Sequence, residues 1–271
     1  MARGDEVKID TTAPSIARVY DAFLGGRDNY EVDRAVYRQI LEIAPEAASG
    51  GRMCRAWLTR VVRHLAGGGG VDQFLDCGSG LPTAENTHQV AQRLNPEAKV
   101  VYVDNDPMVA AHGRVLLEEN EYTHFAVADL REPEELLDHP TVRANLDFGR
   151  PIGLIHSNTL HHVSDEDRPK EIMASYVDAL APGSYLAISH LHMPAADSPY
   201  RAIGEDSQAR FIALMGTCHF RAREEIASFF EGTDLVDPGL AYLFDWWPDG
   251  PLLEPTADSH HLLLGGVGRK P

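Results

Sequence analysis

The sequence predicts an α/β protein, with a mostly parallel sheet covered by helices on both faces and a helical cap ahead of it. Two observations carry that prediction. Beyond residue 71, short β-type runs alternate with helix-compatible segments, the pattern of strands joined by crossover helices. Before residue 67, three amphipathic segments follow one another with no strand between them.

In the cap, Ile16, Val19, Tyr20 and Phe23 recur at helical spacing over residues 11–23, with Pro14 suited to a first turn and Gly25 and Gly26 to the end. A second helix is expected over 31–43, with Val32, Val36, Ile40 and Ile43 on one face and Pro45 stopping it. The third, over 52–66, carries Trp57, Leu58, Val61, Val62 and Leu65 and breaks at the four glycines 67–70. Residues 1–70 therefore read as a cap belonging to the same domain as a core over 71–271. Core strands are expected at 73–77, 100–103, 124–127, 152–156 and 185–189, with helices at 83–94, 107–119 and 166–180 between most of them. A polar excursion over 192–216, containing Pro194, Pro199 and Gly204, reads as an insertion with the length of a lid. A helix at 221–230 and strands at 239–244 and 260–267 close the chain, the last two pairing as an antiparallel edge because little between them offers a crossover.

Composition narrows the function. The 271 residues are 44% hydrophobic and 8% aromatic, as in globular proteins, and no apolar run reaches the roughly 18 residues of a membrane span. The first eight residues contain no apolar signal region. Cys54, Cys77 and Cys218 are odd in number and widely spaced, which suits a reducing compartment and gives neither a disulfide framework nor a zinc pattern. A cytoplasmic protein is expected. With 41 acidic and 24 basic residues the formal charge is -17, and no basic block opposes it, so nucleic acid is not an expected partner. Small molecules fit better.

The chemistry is expected at strand ends, where open α/β sheets bind ligands. The first strand runs into Asp76, Gly78 and Gly80, a tight turn whose missing Cβ atoms let backbone pass close under a ligand. The second ends at Asp104-Asn105-Asp106-Pro107, where Asp104 can accept both hydroxyls of a ribose and Asp106 suits a helix N-cap. The third ends at Asp129-Leu130, a pair able to hold an adenine by its amino group and its face. A dinucleotide would share this acidic residue after a glycine turn. However, the turn Gly78-Ser79-Gly80-Leu81-Pro82-Thr83 lacks a third glycine, and a carboxylate at 76 suits a cationic ligand better than a pyrophosphate. His156, His161, His162, His190 and His192 cluster at the fourth and fifth strand ends; His161 and His162 are candidate bases for an acceptor, with packing as the competing role. Their spacing matches no compact metal motif, and no metal is expected. Tyr242, Phe244, Trp246 and Trp247 read more readily as sheet-edge packing than as a pocket wall.

Over most of residues 71–190 the chain resembles the class I S-adenosylmethionine-dependent methyltransferases. The matching motifs are Leu75-Asp76-Cys77-Gly78-Ser79-Gly80, Val101-Tyr102-Val103-Asp104, Ala128-Asp129-Leu130, Ser157-Asn158-Thr159-Leu160-His161-His162-Val163 and Leu180-Ala181-Pro182-Gly183-Ser184-Tyr185-Leu186, with Ser184 where the family often has glycine. Phe23-Leu24-Gly25-Gly26-Arg27-Asp28-Asn29-Tyr30 and Pro238-Gly239-Leu240 resemble a bacterial subgroup known mainly as a domain of unknown function. The resemblance implies a Rossmann-like seven-stranded sheet, S-adenosylmethionine as cofactor, and Asn105 and Ser157 beside the strand-end residues in its site. It also implies that Tyr20, Arg27 and Asn29 approach the cofactor from the cap, Arg27 pairing its carboxylate; the alternative is that Arg27-Asp28-Asn29 only caps and joins two helices. The expected activity is methylation of a small molecule at oxygen or nitrogen, with a non-catalytic sensor of the cofactor or its demethylated product as the alternative. A nicotinamide oxidoreductase is a weaker third.

Overall fold

The computed structural model describes residues 9–82, 85–116, 120–251 and 255–271. The expected helix start at Thr83 and the end of the segment 107–119 lie outside these residues, as does the stretch 1–8. Three helices come first: α1 (Ile16–Phe23), α2 (Glu31–Leu41) and α3 (Ala47–Gly67). Pro14 stands outside α1, whose N-cap is Ser15. The core then alternates β1 (Gln73–Cys77), α4 (Thr87–Gln92), β2 (Lys99–Asp104), α5 (Pro107–Leu116), β3 (Thr123–Val127), α6 (Pro133–Leu137), α7 (Pro140–Asn145), β4 (Gly153–Ser157), α8 (Pro169–Ala179) and β5 (Tyr185–Leu191). α9 (Arg201–Met215), α10 (Arg223–Ser228), β6 (Asp234–Leu235), β7 (Ala241–Tyr242) and β8 (Leu263–Arg269) complete it.

The strands form one sheet in the order β3-β2-β1-β4-β5-β8-β6, with β7 also on β8. β1 to β5 are parallel, and β8 runs antiparallel to β5. The expected antiparallel pairing of the last strands is present, but the sheet has eight strands rather than seven. The outer neighbour of β8 comes in two pieces: β6 pairs Gly268 and Arg269, and β7 pairs Leu264 and Gly265. Between the pieces Pro238 has no N–H to give and Gly239 takes a positive φ of 81°, so the chain leaves the ladder and rejoins it.

Period-two alternation sends successive side chains to opposite faces. Phe74, Val100 and Tyr102 meet Trp57, Val61 and Leu65 of α3 together with α4 and α5, while Leu75, Val101, Val103 and Leu154 meet α6, α7, α8 and α10. α3 is therefore a layer of the core as well as part of the cap, its N-terminal half lining the cavity at the strand ends. Trp246 is fully buried edge-on to Trp57, and Tyr242 stacks on Phe244, so the C-terminal aromatics pack the sheet edge as expected.

α9 is a 15-residue helix where a polar lid was expected. Its buried face is made by Gly204 and Ser207, which carry no hydrophobic signal. Phe211, Leu214 and Met215 pack on Val19, Phe23, Val36 and Ile40 of α1 and α2, closing the molecule over the sheet.

The cap is held by a buried ion pair. Arg18 Nε donates to Asp33 Oδ2 at 2.8 Å, and the two side chains are 4% and 0% exposed. Asp33 also accepts from Tyr30 N and Ser15 N, so one carboxylate joins α1, the turn and α2. Removing it leaves a buried guanidinium without its partner, a change worth about 3–5 kcal/mol. Asp33→Ala is thus expected to lower the urea midpoint by that free energy, and a loss below about 1 kcal/mol would contradict the role given to the pair.

Candidate active site

A cavity of about 760 Å³ runs along the carboxyl ends of the parallel strands, beneath α1, α2 and α9. Its size falls in the range of about 300–1,000 Å³ typical of small-molecule sites. Tyr20, Asp76, Gly78, Gly80, Asp104, Asn105, Asp129, Leu130, Ser157, His161 and His162 all line it. Arg27 and Asn29 do not. Arg27 is exposed. Asn29 gives its amide to Asp21 Oδ2 at 2.7 Å, and the Asp28 N–H bonds the same oxygen at 2.9 Å, so this turn joins helices instead of reaching the site.

The turn after β1 is shaped by its neighbours. Gly78 and Gly80 take φ values of 73° and 66°, which disfavour any side chain. A Cβ on Gly78 would run into Thr159, whereas one on Gly80 would project into open space. Gly78 N and Ser79 N donate to Val103 O, tying the turn to the end of β2. Ser79 Oγ is buried without a hydrogen-bond partner and faces the cavity.

The carboxylates differ in setting. Asp76 is buried, accepts from Thr87 Oγ1 at 2.6 Å, and is pushed above the usual carboxylate range by that burial. Asp104 accepts from Gly80 N and Asp106 N, each at 2.9 Å, and burial raises it to about 6. Its remaining lone pairs are available to hydroxyl donors. Asp106 accepts from Met108 N at 2.7 Å and so caps α5 as expected; it also accepts from Ser15 Oγ at 2.5 Å, docking the start of α1 on the strand ends. Burial pushes Asp129 up, but the bonds from Arg131, at 2.6 Å for the closest, outweigh it and leave the group below its ordinary value.

On the other side of β1, Asn158 takes a left-handed φ of 57° just after β4. Its backbone N–H is anchored on Ser189, and its side-chain amide approaches Tyr20 OH at 3.4 Å. Tyr20 OH also donates to Gly51 O at 3.3 Å, so the cap, α3 and β4 meet at this hydroxyl. The 3-10 turn Leu160–His162 follows. Burial lowers His162 to about 4 and His161 well below the usual imidazole range, so both rings are neutral near pH 7. His156 packs on Tyr176, His190 is bonded to Leu191 O, and His192 to Arg221 O; none of the three lines the cavity.

The cavity wall also holds residues that sequence patterns did not single out: Ser207, Phe211 and Met215 of α9, Thr217, Cys218 and Phe220 after it, and Ser259, Leu262 and Leu263 near the C-terminus. Asn158 stood within a recognised motif but carried no role there; an Asn directly after a strand end was the available signal, since Asn tolerates positive φ.

The sequence matches a family described as S-adenosyl methyltransferase over residues 2–271. The chain belongs to this family. A crystal structure of a Thermobifida fusca YX protein, provisionally described as a methyltransferase, is similar at 42% identity and TM-score 0.90, covering 96% of each chain. A DUF574 family protein from Streptomyces avermitilis is 35% identical with TM-score 0.91, over 97% of this chain and 100% of that one. An O-methyltransferase family protein from Burkholderia thailandensis, 14% identical over 83% of this chain and 59% of that one, shares the fold with TM-score 0.53. No curated protein matches the chain. As an S-adenosyl methyltransferase, the chain has S-adenosylmethionine as its cofactor, and the β1–β3 half of the cavity fits it. There the open space at Gly80, the unpartnered Ser79 hydroxyl, the buried Asp76 carboxylate and the half-buried Asp104 carboxylate lie together. Among the described residues, no helix is long and apolar enough to cross a membrane.

Proposed function

We propose that the protein is an enzyme that moves a methyl group from S-adenosylmethionine to an uncharged small molecule held in the β4–β5 half of the cavity. The observation that carries this reading is the make-up of the wall. Asp76, Asp104, Asp106, Asp129 and Arg131 lie on the β1–β3 side, and Arg55 lies on α3. Among the described residues, every lining residue from α9 onward in the chain is uncharged. Charge brought into such a chamber would lose its hydration with no partner, at a cost of several kcal/mol. An apolar body is favoured by Phe211, Met215, Phe220, Leu262 and Leu263. Ser207 Oγ and Ser259 Oγ are buried without partners and are available to a few polar groups on the acceptor.

When bound, the cofactor supplies an activated methyl on a sulfonium. The chain's part is to align and enclose. Asp104 accepts the ribose hydroxyls, with Asn105, Asp129 and Leu130 at the adenine end. Asp76 places negative charge in the half of the cavity that holds the cationic cofactor, and Gly78 and Gly80 let backbone approach it. α1, α2 and α9 exclude water from the transfer path. His161 and His162 front the acceptor chamber, and as neutral rings each can accept a hydrogen bond or a proton from a hydroxyl or amine. His161→Ala and His162→Ala are expected to lower turnover by about 100-fold while leaving affinity for the demethylated cofactor within about twofold, because neither ring belongs to the β1–β3 half. Equal loss of both would mean that the pair only supports the fold.

The reading is tested by supplying isotopically labelled S-adenosylmethionine with a panel of neutral phenols, alcohols and amines and charged analogues. Label is expected in neutral members only. Tight cofactor binding with no transfer to any of them would favour the sensor, which needs no second chamber.

A further inference from the structure

His161, His162 and Cys218 place one metal-ligating atom each within 4.8 Å of the other two. They come from separate segments that are bonded together: His219 N donates to His161 O at 2.6 Å, and Thr217 Oγ1 to His162 O at 2.9 Å. All three residues line the acceptor half of the cavity. Cys218 is fully buried and His161 only 5% exposed. The Nδ1 atoms of both histidines are buried without a hydrogen-bond partner. An unsatisfied buried polar atom costs about 1–3 kcal/mol, and here two such nitrogens stand beside a thiol.

We propose that His161, His162 and Cys218 bind one zinc-class divalent ion whose fourth position opens into the acceptor chamber, so that the two rings serve as ligands in place of the proton-accepting role they have as free imidazoles. Two imidazoles and a thiolate are a borderline-soft donor set that suits zinc or cobalt, and three protein ligands with one open position is the arrangement of catalytic rather than structural zinc. Tetrahedral bonds of about 2.0–2.3 Å require the three donors to draw in by roughly 1 Å, within reach of side-chain torsions. Cys218 lies 56 residues beyond His162, which is why residue spacing alone gives no metal motif.

The site also narrows the acceptor, a step that rests on the methyl-transfer reading. Binding releases the Cys218 thiol proton to solvent, and a divalent ion with one thiolate keeps one positive charge, in a chamber where no lining carboxylate among the described residues from α9 onward balances it. An acceptor oxygen that gives its proton to solvent and coordinates the ion brings the sum to zero. The acceptor is then a hydroxyl compound, with its oxygen held as the nucleophile.

Cobalt(II) titration of chelator-treated full-length protein, without cofactor or acceptor, tests the ion by itself. One equivalent is expected to produce a sulfur-to-cobalt charge-transfer band. Cys218→Ser is expected to abolish that band, and His161→Ala and His162→Ala each to weaken cobalt binding at least tenfold. Unchanged affinity for S-adenosylhomocysteine serves as the control for folding in every variant. No binding, or a band that survives Cys218→Ser, would overturn the site. Methyl transfer takes no part in this readout, so failure of the catalytic reading and failure of the metal site are told apart.

Discussion

Acidification of the metal-free protein from pH 6.5 to 4.5 is expected to strip it of several kcal/mol of stability. His156, His162 and His190 are buried, and burial lowers them to about 3, 4 and 3. His156 has no hydrogen-bond partner on either ring nitrogen. In the unfolded chain each returns to about 6.5. Below that pH the unfolded state binds three protons that the folded state refuses, so folding weakens as pH falls; the histidines' contribution is intact only above about 6.5. Asp104 acts in the opposite sense: its folded value of about 6 exceeds the unfolded 3.8, so the folded state takes up one extra proton between those values. Over these four groups the net of two protons gives a slope of about 2.7 kcal/mol per pH unit, which His161, lowered in the same sense, steepens and Asp76, raised, opposes. A typical total of about 5–15 kcal/mol is exhausted within a few units. Urea denaturation at pH 7, 6 and 5 should show the midpoint falling steeply below 6.5. His156→Leu should make the slope shallower by about one proton. A midpoint that stays level to pH 5 would contradict the buried, neutral state of these rings.

Asp104→Ala is expected to weaken cofactor binding by about 100-fold or more. In the proposed ribose role the carboxylate would accept two hydroxyls, each such charged hydrogen bond being worth about 1.5–3 kcal/mol, and its removal also frees the Gly80 and Asp106 N–H groups. Calorimetric titration with S-adenosylhomocysteine measures the loss directly. Because burial holds Asp104 at about 6, wild-type affinity should be level above pH 7 and decline below 6, as the ionised acceptor is lost. Asp104→Asn should bind weakly with no such decline. Near-wild-type affinity in the alanine variant would remove Asp104 from the ribose role.

The cavity wall along β1 to β3 was legible because its residues sit at strand ends. Asp76, Gly78, Gly80, Asp104 and Asp129 each follow a recognisable β-type run, and a parallel sheet brings such positions into one row. The wall beyond β4 was not legible, because Ser207, Phe211, Cys218, Ser259 and Leu262 carry no local pattern and meet only through tertiary packing. The helix α9 was missed for the same reason: Gly204 and Ser207 let it sit close to its neighbours without an apolar stripe. Arg27 and Asn29 were drawn to the site by the family resemblance, but the buried Asp21 carboxylate takes the Asn29 amide. The edge of the sheet divided into β6 and β7 at Pro238, a local break that strand propensity around it did not reveal.

The central claim is that one cavity holds the cofactor over the first three strand ends and the acceptor beyond it. A crystal structure with S-adenosylhomocysteine bound tests it most directly. Both ribose hydroxyls are expected on Asp104, the adenine beside Leu130, and the sulfur pointing toward the chamber walled by His161, Phe211 and Met215. A sulfur turned away from that chamber, or a ribose bound elsewhere than Asp104, would contradict it.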